Sequence, residues 1–148
     1  MEIFSAGTSG SPAEEFFRRL RFMQVSTVVD TRLNNVSQLA GFSKYPDFPF
    51  FLREIAGIEY IHEPLLAPER DVLRAYRAKK MSWGEYEEQY LDLMHRRGVA
   101  HRLDSSAWGD RPALLCSEAT AERCHRRLAA DYLAKNWGTA VVKRIEHL

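Results

Sequence analysis

The sequence predicts an α/β domain in three layers, with a mainly parallel central sheet of about five strands and helices on both faces. Three observations carry that expectation. Short apolar, β-branched runs alternate along the chain with longer stretches of helical period, in the order β-α-β-α-β-αα-β-α-β. The run PALLCSE is apolar almost throughout, as expected of a strand covered on both sides. The 148 residues are 45% hydrophobic and 28% charged, which suits one domain able to bury a core without staples.

The elements follow in order. EIFSAG reads as a buried strand stopped by Gly7. In TSGSPAEEFFRRLRFM, Ser11 stands as N-cap, Pro12 as first-turn residue and Glu14 and Glu15 as acids suited to the helix dipole; Phe16, Phe17, Leu20 and Met23 form the apolar stripe. STVVDTR is a second strand, and the polar, aromatic stretch after it leads to a short helix from about Pro49 to Ala56, closed by Gly57. IEYIHE is a third strand, stopped by Pro64. A two-helix segment occupies about 68–98. Its first helix starts with Pro68 and carries Val72, Leu73 and Tyr76; its second is capped by Ser82, ended by Gly98 and presents Trp83, Tyr86, Tyr90 and Leu93 on one face. PALLCSE is the fourth strand. Thr120 caps a helix running to about Trp137, with Cys124 on its second turn facing inward, Gly138 ends it, and TAVVKRIEHL supplies a last strand. With no repeat, linker or low-complexity tract, residues 1–148 read as a single domain.

Composition narrows the function classes. A net charge of +1 argues against nucleic-acid binding driven by bulk charge. Two cysteines give no disulfide framework and point to a reduced, cytoplasmic setting. The start MEIFSAGTSG lacks the basic and apolar regions of a signal peptide, and no run of about 20 apolar residues is present to span a bilayer.

In open parallel sheets, ligands bind beyond the carboxyl ends of the strands. The residues following each strand here are Gly7, Thr8, Ser9 and Gly10; Asp30 and Arg32, with Asn34, Asn35 and Ser37 behind; His62 and Glu63; and Cys116, Ser117 and Glu118. Two glycines at a helix start suit close approach of an anion, although no Walker or dinucleotide fingerprint is present. Period-2 alternation puts Asp30 and Arg32 on one face, where they pair with each other or Arg32 holds an anion. His62 is a candidate base. Cys116 is either inert or a thiol activated by the next helix's N-terminus. Glu118, between strand and cap, lacks an easy structural role. Arg126 either serves the site or pairs with Glu122 at i,i+4 on the surface, and Cys124 and His125 act as packed support.

These residues give a small anionic ligand, phosphate- or carboxylate-bearing, at the sheet edge. Gly7, Thr8, Ser9, Gly10, Arg32, Asn34, Ser117 and Arg126 would hold it, with Glu118, Cys116, His62 and Asp30 as candidate catalytic groups. The cofactor stays open. One alternative is a nonenzymatic nucleic-acid or protein-binding module using the helices at 68–98, where Arg70, Arg74, Arg77, Lys79 and Lys80 interleave with Tyr76 and Trp83; Glu85, Glu87, Glu88 and Asp92 then offset the field. Another is a metal-dependent enzyme using Cys116, Cys124 and either His62 or His125, although C-x7-C is not a standard zinc spacing.

FSAGTSG, VVDTRLNNVSQLAGFSK, FPFFLREIAGIEYIHEPLLAP and LLCSEATAERCHRRLAADYL, taken together, resemble the family called domain of unknown function 488. The resemblance covers nearly the whole chain and implies a small prokaryotic α/β protein without an agreed activity. It implies that the polar motif positions are Ser9, Asp30, Arg32, Cys116, Glu118, Cys124, His125 and Arg126. In strand order the chain is also loosely similar to rhodanese-type sulfurtransferases and cysteine phosphatases, whose anion cradle has five residues between Cys and Arg. Here six residues separate Cys116 from Arg123, the loop lacks glycine, and Glu118 lies inside it.

Overall fold

The computed structural model describes residues 1–36, 40–118 and 122–137. Among them four strands, β1 (Phe4–Gly7), β2 (Thr27–Asp30), β3 (Glu59–His62) and β4 (Pro112–Cys116), form one sheet in the order β1-β4-β2-β3 with every pair parallel. The expected last strand at 139–148, the Thr120 cap, Ala121, Ser37 and the closing Gly138 lie outside the described residues.

Alternation along the strands sorts their side chains into two cores. Phe4, Ala6, Val28, Ala113 and Leu115 face α1 (Ala13–Phe22) and α2 (Asp47–Phe51), whose Phe16, Phe17, Leu20 and Phe48 fill that layer. Val29 and Leu114 face the opposite way, toward α4 (Trp83–Arg97), α5 (Val99–Arg102) and α6 (His125–Trp137), against Tyr86, Tyr90, Met94, Val99, Leu128 and Leu133. The three layers are thus as the apolar patterning implies. Strand β4 is buried on both faces along its whole length, which explains its uninterrupted apolar run.

Local signals hold at several boundaries. Ser82 caps α4, accepting from the Glu85 N–H at 3.2 Å while its hydroxyl donates to the Glu85 carboxylate at 3.1 Å. Gly57 and Gly98 end helical segments in the left-handed conformation, at φ +64 and +62. Other boundaries move. Helix α1 begins at Ala13 with Pro12 in the cap position, and the Ser11 hydroxyl accepts from Arg19 Nη1 at 3.2 Å instead. The helix expected from Pro49 begins at Asp47 and finishes as a wide turn over Leu52–Ala56. Helix α3 spans Arg70–Arg77, two residues past Pro68.

The largest correction is at α6, which starts at His125. Cys124 therefore precedes the helix rather than riding its second turn, and its carbonyl accepts from Arg127 N–H at 3.2 Å. Nor does Arg126 form a surface pair with Glu122, which is an exposed turn residue, while Arg126 has no exposed surface at all.

Candidate functional site

Strand register brings the predicted residues to one edge. Gly7 lies opposite Cys116, and Asp30 lies opposite both Leu115 and His62. Beyond that edge opens a cleft of about 930 Å³. Arg32, Asn34, Cys116, Ser117, Glu118, Cys124 and His125 line it on the sheet side; Tyr76, Arg77, Lys79, Lys80, Trp83 and Tyr86 face them from the two-helix segment.

The cleft is basic. Five lysines and arginines (Arg32, Arg77, Lys79, Lys80 and Arg123) line it against one carboxylate, Glu118. Two of the five are already committed. Arg77 reaches Glu118 at 3.5 Å, both side chains being more than half exposed, so that bridge contributes little to stability. Arg32 is buried and forks onto Asp30, with Nε to Oδ1 at 2.9 Å and Nη2 to Oδ2 at 2.8 Å. Its remaining reach goes to Ser43, whose carbonyl accepts from Nη2 at 2.7 Å and whose hydroxyl accepts from Nη1 at 3.2 Å. The Tyr60 phenol donates to Asp30 Oδ2 at 2.6 Å. Burial and the adjoining Asp30 carboxylate raise that phenol above its ordinary range. Asp30 and Arg32 thus form a buried hub, and Lys79, Lys80 and Arg123 hold the cleft's uncommitted positive charge among the described residues.

The aromatic wall is a stack. Tyr76 and Tyr86 lie with ring centroids 4.7 Å apart and planes 27° from parallel, and Trp83 follows at 5.6 Å from Tyr86. These residues, with Arg77, Lys79 and Lys80, face the sheet edge across the cleft and do not form the separate helical surface that the sequence suggests. The basic-aromatic interleaving is the sequence feature that corresponds to this wall of the cleft. The nearby acids mask it only when summed along the chain, because Glu85, Glu88 and Asp92 line a different depression.

Two thiols form the cleft floor. Cys116 ends β4 and Cys124 precedes α6, both nearly fully buried, with sulfurs 2.9 Å apart and no disulfide. The Glu118 N–H donates to Cys116 Sγ at 3.3 Å. Arg126 Nη1 lies 3.1 Å from the same sulfur, and donates to the Ala6 and Glu118 carbonyls at 2.8 and 2.9 Å. Arg126 Nε and Nη2 have no hydrogen-bond partner among the described residues. The His125 ring is fixed from behind: Nε2 lies 3.1 Å from the Thr31 carbonyl and 3.0 Å from the Thr31 hydroxyl. A carbonyl only accepts, so Nε2 donates to it, and the ring's Nδ1 lies 3.9 Å from Cys124 Sγ. The hydrogen bond to Cys116, with His125 and Arg126 beside it, holds Cys124 below the ordinary thiol range. Burial and the bond to Cys124 push Cys116 above it.

Other predicted residues lie outside the cleft lining. The N–H groups of Thr8 and Ser9 are spent on the carbonyls of Cys116 and Ser117, both at 3.2 Å, continuing the β1–β4 pairing past the strand ends. Gly10, at φ +81, turns the chain toward α1. His62 Nε2 donates to the Arg32 carbonyl at 3.1 Å and braces the strand end. Among the described residues, no group of three or more His, Cys, Asp or Glu side chains is placed to hold a metal ion. No described helix is long and apolar enough to cross a membrane.

The model of the family Domain of unknown function DUF488 matches residues 12–133, and the chain belongs to that family. Comparison with curated proteins and comparison with solved structures each returned no match.

Proposed function

We propose that this member of the DUF488 family binds a small phosphate- or carboxylate-bearing ligand in the cleft at the carboxyl edge of its sheet. The observation that carries the proposal is the excess of basic groups lining that cleft directly above the Cys116–Cys124 floor. Lys79, Lys80 and Arg123 supply the counter-charge, in place of the Gly7–Gly10 turn, whose Thr8 and Ser9 amides pair with β4. Tyr76 and Trp83, packed against the buried Tyr86, offer apolar surface to a ring carried by the ligand. Glu118 at the rim is the carboxylate positioned to exchange a proton with a bound molecule, with Arg77 as its partner.

The test is calorimetric titration with inorganic phosphate and with a nucleoside monophosphate, on wild type and on a Lys80→Ala/Arg123→Ala variant. The expected result is saturable binding, tighter for the nucleotide, that falls at least tenfold in the variant, or about 1.4 kcal/mol. Equal affinity in variant and wild type refutes the assignment.

The pairing of stacked aromatics with Arg77, Lys79 and Lys80 favours one second reading, a single-stranded nucleic acid lying across the same wall. A labelled oligonucleotide at two salt concentrations separates the two readings. Tight, strongly salt-dependent binding with no measurable mononucleotide affinity selects the second.

A further inference from the structure

We propose that Cys116 and Cys124 form a two-electron dithiol–disulfide couple, in which Cys124 is the thiolate that attacks a hydroperoxide and Cys116 the thiol that resolves the product. The couple does not depend on what anion the cleft binds.

Charge compensation is the first ground. Arg126 is fully buried and permanently protonated, yet its bonds go to two carbonyls and a sulfur rather than to a carboxylate. Nε and Nη2 are unpartnered among the described residues. A buried cation demands an anion nearby, and the sulfur its guanidinium touches is Cys116 Sγ, itself in contact with Cys124 Sγ. Losing one proton from the pair supplies that anion, and the remaining proton is shared across the 2.9 Å between the sulfurs.

Geometry is the second. The sulfurs stand about 0.9 Å beyond S–S bonding distance, so a bond between them needs little movement. Cys124 abuts the N-terminus of the 13-residue helix α6, whose dipole favours a thiolate. His125, its tautomer set by the Thr31 carbonyl, offers Nδ1 to take the Cys124 proton. Both cysteines line the cleft, which gives a small oxidant a route to them.

In the first step the Cys124 sulfur attacks one peroxide oxygen. An S–O bond forms, the O–O bond breaks, and the departing alkoxide or hydroxide takes the proton held on His125. Cys124 becomes a sulfenic acid, oxidised by two electrons, and the peroxide is reduced by two. In the second step the Cys116 sulfur, losing its proton, attacks Cys124 Sγ. The S–S bond forms, the S–O bond breaks, and the hydroxide leaves as water with that proton. The sum is dithiol plus hydroperoxide giving disulfide, alcohol (water when the oxidant is hydrogen peroxide) and water. An external dithiol then regenerates the two thiols by exchange and is itself oxidised to a disulfide.

The full chain, reduced and then freed of reductant, is treated with one equivalent of hydrogen peroxide and followed by intact mass and by thiol titration after denaturation. Wild type is expected to lose two hydrogens as a monomer, with both thiols disappearing together. Cys116→Ser is expected to accumulate a dimedone-trapped sulfenic acid at position 124, and Cys124→Ser to react at least tenfold more slowly than wild type. Circular dichroism reports whether each variant is folded. If either fails to fold, peptide mapping of wild type under substoichiometric peroxide with dimedone locates the first oxygen, expected on Cys124. First attack at Cys116, disulfides formed only between chains, or a Cys124→Ser variant as fast as wild type overturns the proposal.

Discussion

Asp30→Ala removes the carboxylate on which Arg32 is folded back. Four hydrogen bonds end at that carboxylate: from Arg32 Nε at 2.9 Å, Arg32 Nη2 at 2.8 Å, the Arg32 backbone N–H at 3.1 Å and the Tyr60 phenol at 2.6 Å. Asp30 has no exposed surface and Arg32 only 4%, so water cannot replace the lost partner without opening the strand end. Removing one member of a buried pair costs about 3–5 kcal/mol, because the other charge is left stranded. For a chain of this size that corresponds to a fall in Tm of roughly 10–15 °C. Arg32→Met alone strands the carboxylate and costs a similar amount. The double variant strands neither charge and loses mainly the hydrogen bonds, so it should fall short of the summed single losses by at least about 2 kcal/mol. Urea denaturation of the four proteins gives the cycle. Additive losses, or an Asp30→Ala protein within about 1 kcal/mol of wild type, would show that the pair is not the structural hub described.

Three further outcomes are expected. Lys79, two residues past the end of α3, sits at φ +59, a conformation that glycine adopts without strain; Lys79→Gly should raise stability by about 0.5–1 kcal/mol while weakening phosphate binding, measured by urea denaturation and calorimetry. Gly109 sits at φ +72, and an added Cβ would lie 2.7 Å from Ser26 Oγ, which is held by Trp108 O and Arg111 N–H; Gly109→Ala should therefore cost about 1–3 kcal/mol in the same assay. Cys124, facing Cys116, His125, Arg126, Tyr86 and Tyr90, has its thiol held low, so the thiolate persists as pH falls. Its iodoacetamide rate, followed by peptide mapping, should change less than about threefold between pH 8 and 6, where a free thiol slows by roughly 50–100-fold.

What was legible in the sequence is what local chemistry determines. Ser82, Gly57 and Gly98 act through bonds or dihedrals within a few residues, so each marks its helix boundary without help from the fold. The Asp30–Arg32 pairing follows from period 2 at a strand end. The start of α6 was misplaced because residues far away in sequence hold it: Arg126 is drawn inward by Ala6 O and Cys116 Sγ, and His125 by Thr31. A helical-wheel reading sees only the i,i+4 spacing of Glu122 and Arg126. The cleft's basic wall was hidden for a related reason. Lys79 and Lys80 face the sheet edge while Glu85 and Glu88 line another depression, and a linear charge sum cannot separate the two directions.

The strand order β1-β4-β2-β3 also bears on how the chain folds as it is made. Among the described residues β1 has only β4 as a neighbour, and β4 is the last described strand, more than 100 residues later. As synthesis proceeds, β2 and β3 can pair early, but Phe4–Gly7 has no partner among the described strands until Pro112–Cys116 is released to insert between β1 and β2. Closure over such separations is slow and leaves apolar strand edges open meanwhile. Cys116 arrives on that inserting strand, so the arrangement of thiols, His125 and Arg126 comes into being only when the middle of the sheet is filled. An incompletely folded chain carries two ordinary cysteines.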